Sequence, residues 1–157
     1  MFDKLLEEYA DFDKEHLNPR HAMNCATTSW HLTDWTYQEF FTTDKRFQDR
    51  EKYTSKGNLI FISALQLYQQ YLIKSCPELE YMRLITNGIK HCIPRDLNSK
   101  KETRIGEGHY SPYDYSRHDY NVPRFEIIIS NSKSIDFESA VLKTLEFWKK
   151  FIEENKT

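Results

Sequence analysis

The feature that most restricts the fold is a corner. From Leu59 to Ser75 the chain is apolar nearly all round at first, through Leu59, Ile60, Phe61, Ile62, Leu65 and Leu67. Such a run predicts a buried helix. It leads into Ser75-Cys76-Pro77-Glu78, which has the chemistry of a helix start. Ser75 or Cys76 can cap, Pro77 suits the first turn, and Glu78 and Glu80 favour the positive end of the helix dipole. Two helices joined so tightly are expected to pack antiparallel. Only four Gly and five Pro occur in 157 residues, so few residues punctuate the chain, which favours long helices over an all-β domain.

The remaining segments fit the same plan. Phe2 to about His16 alternates acids with Phe2, Leu5, Leu6, Tyr9 and Phe12, an amphipathic first helix stopped by Asn18-Pro19. A second helix is expected from Pro19 or Arg20 to Phe41. Its many small and polar residues between tryptophans imply packing on more than one side, hence a central position. Thr42 to Lys56 is mostly charged and reads as a short surface helix plus a loop, closed by Gly57-Asn58. Phe125 to Ile129 is rich in β-branched residues and predicts a strand, with Glu102 to His109 as its partner. Ser134 or Asp136 can cap a last helix whose stripe is Phe137, Val141, Leu145, Trp148 and Ile152. The expected fold is mainly α: a four- or five-helix up-and-down bundle, one domain over 1–157, with a β-hairpin at about 101–130 inserted before the last helix. Its core is expected to be the buried helix of residues 59–75 and the faces around it.

Composition excludes several functions. A net charge of −2 and a pI near 6.3 argue against bulk electrostatic capture of nucleic acid, which needs a clearly basic domain. Cys25, Cys76 and Cys92 form no CxxC pair and read as small buried hydrophobes in a reducing compartment. The first residues lack the basic and apolar regions of a signal peptide, and no apolar run is long enough to span a membrane. A cytoplasmic location with no membrane partner is expected. No phosphate loop, GxSxG or dinucleotide fingerprint occurs, and no cofactor is implied.

Two polar stripes carry the candidate chemistry. On the helix after the corner, Arg83, Asn87 and His91 follow at i, i+4 and i+8 with Lys90 beside them, opposite Met82, Ile85 and Ile89. A guanidinium, an amide, an ammonium and an imidazole on one face suit an anion or an RNA phosphate, with His91 in proton transfer and Arg83 stabilising negative charge. Equally, they suit a solvated face whose cations favour the helix C-terminus. Gly88, costly inside a helix, would permit close approach of another helix or a ligand. The second stripe is Asn24, Thr28, His31 and Trp35, with Asp34 and Gln38 nearby. It reads as a buried polar network in which Asp34 or a neighbouring backbone carbonyl orients His31, or as the opposite wall of a pocket shared with His91. A metal site from His31, Asp34, His91 and Cys92 is not expected, because the inward Glu and Glu-x-x-His pairs of bundle metal sites are missing. Tyr110 to Tyr120, with Arg117 and His118 interleaved, could stack on bases or make a protein contact.

The Asn24 to Trp35 block and the helix bearing Arg83 and Asn87-Gly-Ile-Lys-His91 resemble the HEPN superfamily of bacterial defence and toxin proteins over about Pro19 to Cys92. The resemblance implies a homodimer whose cleft cleaves RNA without metal, using the ribose 2′-hydroxyl as nucleophile. Carried over, Arg83 steadies the phosphate and His91 transfers protons, with Asn87 and Lys90 alongside and His31, Asn24 and Asp34 in support. Seven residues separate Arg83 from His91, one more than the family spacing, and Leu84 replaces the usual polar residue after Arg. The resemblance therefore implies a metal-independent endoribonuclease or an inactive relative. The alternative is a non-catalytic module that binds a protein partner or its own copy.

Overall fold

A computed structural model describes residues 1–90, 102–106, 124–130 and 133–156. Its organising element is α2 (Pro19–Thr36), not the helix after it. Pro19 opens α2 and the Asn18 side chain accepts from Arg20 N–H at 3.0 Å, the cap that an Asn-Pro start provides. Ala22, Cys25, Ala26 and Ser29 are buried along it, and such small side chains let neighbouring helices approach closely. Helix α1 (Phe2–Lys14) packs on α2 and buries Leu5 and Phe12.

The chain leaves α2 through a π-helical turn, Tyr37–Phe41. Thr36 Oγ1 donates back to the Leu32 carbonyl at 2.6 Å and lies 2.8 Å from the Tyr68 hydroxyl. Back-bonding of this kind bends helices, and the wide turn brings both Tyr37 and Phe41 against Tyr68, at ring separations of 5.5 and 5.0 Å. Phe47 and Phe151 complete this aromatic cluster.

The next segment departs from expectation twice. Thr42 to Lys56 forms no surface helix. It contains strand β1 (Arg50–Tyr53), paired antiparallel with β2 (Leu59–Ile62). The residues expected to begin a buried helix are thus an exposed strand. Periodicity cannot distinguish a short apolar strand from a buried helix. Gly57, at φ +78°, supplies the turn, and the helix start lies at Ser63. There Ser63 and Gln66 form a reciprocal capping box, so α3 runs only from Ala64 to Ser75. Leu67, Tyr68 and Leu72 are its buried residues, and the core centres on α2 and α5, not on α3.

After Cys76-Pro77, α4 (Glu78–Lys90) packs mainly against α2. Strands β3 (Glu102–Gly106) and β4 (Arg124–Ser130) then pair antiparallel, as the Ile-rich stretch predicts, with Glu102 opposite Ile128 and Gly106 opposite Arg124. A third strand, β5 (Lys133–Asp136), adds to the other edge of β4. Phe125 and Ile127 point to the core, the alternation of a half-buried strand. The last helix, α5 (Phe137–Asn155), is capped by Asp136, whose carboxylate accepts from Ser139 N–H at 2.8 Å. Its predicted stripe of Phe137, Val141, Leu145, Trp148 and Ile152 is buried in full. The protein is mainly helical, with antiparallel strands inserted before the last helix. Among the described residues no helix is long and apolar enough to cross a membrane.

Candidate functional site

Arg83, the leading candidate from the sequence, is half-buried on α4 and already has a partner. Its Nε donates to Glu80 Oε2 at 2.8 Å and its Nη2 to Glu80 Oε1 at 2.6 Å. The spacing of three on a helix makes this pair local, and the bond to Glu80 raises the guanidinium pKa further. An anion arriving here would compete with a carboxylate held in bidentate geometry. Asn87 is half-buried one turn on. The Lys90 side chain, His91, Cys92, and the Tyr110–Tyr120 loop with Arg117 and His118 lie outside the described residues.

Gly88 is exposed, and among the described residues a Cβ added there would meet nothing within 4 Å. Gly88→Ala is expected to stabilise the fold by about 1 kcal/mol through helix propensity alone, read as a raised urea midpoint with unchanged slope.

Arg83 and Glu80 instead form part of the wall of a groove of about 570 Å³, together with Trp30, Ile73, three glutamines of α3 and residues Ile60, Phe61 and Ile62 of β2. Successive strand residues point to opposite faces of a sheet. Three consecutive ones can line one groove only if it runs along the edge of β2. No β1 residue lines it, so this is the edge away from β1.

The hydrogen-bond phase of that edge follows from the turn. Thr54 N–H donates to the Asn58 carbonyl at 2.8 Å, so this pair is hydrogen-bonded, and in an antiparallel ladder bonded and non-bonded pairs alternate. With Tyr53 opposite Leu59 and Glu51 opposite Phe61, Leu59 and Phe61 fall in non-bonded pairs. Their N–H and C=O groups face outward. Among the described residues β2 pairs with no strand other than β1. Leu59 and Phe61 are 50% and 63% exposed.

The second stripe lies elsewhere. His31, Asp34, Trp35 and Gln38 line a separate open depression of about 360 Å³, and Asn24 is exposed farther back on α2. Arg83 thus lines one concavity and His31 another, while the pocket shared with His91 falls on a residue outside the described ones. Asp34 does not orient His31. Its Oδ1 accepts from Gln69 Nε2 at 2.9 Å and from Thr33 Oγ1 at 3.3 Å. Gln69, which also lines the groove, is the link between the two sites. Its helical companions Gln66 and Gln70 share that side of α3, and glutamines at i, i+3 and i+4 beside an apolar run were the available signal for a polar wall.

Neither described thiol is poised for chemistry. Burial pushes Cys25 up to about 12, and burial with the nearby Glu78 pushes Cys76 up to about 11. Among the described residues no group of three or more His, Cys, Asp or Glu is placed to hold a metal ion. In comparisons with protein-family models, curated proteins and solved structures, nothing matches this chain.

Proposed function

We propose that this is a non-catalytic protein-interaction module that receives an extended segment of a partner protein as a third strand on the outer edge of β2. The observation that carries this reading is the contrast between the hairpin's two strands. β1 bears Arg50, Glu51 and Lys52, charges of the kind that protect an edge from pairing, whereas β2 is wholly apolar. A two-stranded hairpin is marginal alone, and a third strand completes it. Main-chain bonds to Leu59 and Phe61 would supply affinity, and the groove beside them would take side chains from the partner. The cytoplasm is the proposed location, a reducing compartment suited to the free thiols of Cys25 and Cys76.

The test is photocrosslinking in the native cells from a benzoylphenylalanine at position 61, with position 142 as control, since Leu142 is also exposed. Crosslinks from position 61 are expected to map to one extended segment of one partner. Identical products from both positions, or none from position 61, would remove the proposal.

The second reading is a HEPN-like RNase of a bacterial defence or toxin system, or its inactive descendant. It is favoured by one observation, that Arg83 lies in a groove, and weakened by the Glu80 pairing. It expects metal-free protein to cut RNA, and Arg83→Ala and His91→Ala each to reduce cutting by a hundredfold or more. Undiminished cutting by both variants would dismiss it.

A further inference from the structure

We propose that the depression at the C-terminal part of α2 is a binding site for an arginine side chain presented by a partner protein. Its centre is the Asp34 carboxylate. Two donors fix Oδ1, Gln69 Nε2 at 2.9 Å and Thr33 Oγ1 at 3.3 Å, while among the described residues Oδ2 has no partner. None of the residues lining the depression is Lys or Arg. The carboxylate is therefore oriented but not neutralised.

Trp35 adds the second element. The residue is 37% exposed, and its ring is braced edge-to-face by Phe40, at 6.3 Å and 83° between planes. An indole beside a carboxylate suits a flat cation: a guanidinium can stack on the ring while its N–H groups donate to Oδ2. Gln38 follows Asp34 by one helical turn and His31 precedes Trp35 by one turn, and both line the depression, so the Gln38 amide oxygen is within the site to accept a remaining N–H. Lysine matches less well, since an ammonium lacks the planar fork and is more strongly hydrated. The site is open, so one arginine binds weakly and contributes specificity within a larger contact.

This site stands apart from strand addition at β2 and can be tested without it. The probe is acetyl-Gly-Arg-Gly-amide, too short to fill the groove, titrated into the full chain while the Trp35 indole N–H is followed by NMR. The control is the same peptide with citrulline, which keeps the shape and removes the charge. A saturable shift with the arginine peptide, at least tenfold weaker with citrulline and at least tenfold weaker in Asp34→Asn, is expected. A Trp35→Leu variant that still bound the arginine peptide with full affinity, measured by calorimetry, would overturn the site. So would equal responses to the two peptides, or no saturable shift at tens of millimolar.

Discussion

Trp148→Ala is expected to destabilise the protein by about 3–5 kcal/mol, the range for removing a large buried aromatic side chain. Trp148 is fully buried and joins the two central helices. Its Nε1 donates to the Ser29 carbonyl at 3.1 Å and lies 3.3 Å from Ser29 Oγ. Phe147 and Phe151 pack against the same indole at 5.2 and 5.9 Å. The alanine variant loses both the packing and the tie to α2. Trp148→Phe keeps most of the ring and loses the N–H, so about 1–2 kcal/mol is expected. Urea unfolding of the two variants checks both values, and a cost below about 1 kcal/mol for alanine would mean that α5 is not docked on α2 in this way.

Phe61→Pro is expected to weaken partner binding by about 2 kcal/mol, roughly thirtyfold in affinity, while leaving the fold intact. Proline removes one N–H. At position 61 that N–H faces away from β1, so the hairpin loses no ladder bond and the incoming strand loses one. Ile60→Pro is the opposite case. Ile60 is paired with Lys52 in a bonded position, and proline there should open the hairpin itself. Phe61→Ala isolates the ring, whose exposure makes its loss nearly neutral for folding. Binding of the crosslinked segment, prepared as a peptide, separates the three. Equal affinities for Phe61→Pro and Phe61→Ala would show that the outward N–H makes no bond to a partner.

The helices were legible because their signals are local and redundant. Asn18-Pro19, Pro77-Glu78 and Asp136 mark starts, and the α5 stripe keeps its period over the whole helix. Strand β4 announced itself through Phe125 to Ile129, and β3 followed from its need for a partner. What the sequence hid was the state of Leu59 to Ile62. Four apolar residues are compatible with a helix turn or a strand, and the deciding signal is Ser63-x-x-Gln66, a capping box inside the apolar run.

The site was less legible for a related reason. A helical stripe says which residues share a face but not what that face meets. Arg83 was read from the sequence as a residue for an anion; that it lines a groove was not readable there, and its bidentate link to Glu80 could be anticipated only as one of several local pairs. Asn24, His31 and Asp34 share a stripe, yet only His31 and Asp34 share a depression. The edge of β2 became a candidate only once its residues were known to be a strand.

Amide hydrogen exchange along β2 tests strand addition most directly. In the isolated protein Leu59 and Phe61 should exchange faster than Ile60 and Ile62, whose N–H groups are tied to β1. Saturating amounts of the segment crosslinked to position 61 should slow Leu59 and Phe61 to the rates of their neighbours. Unchanged exchange at Leu59 and Phe61 with that segment bound would contradict it.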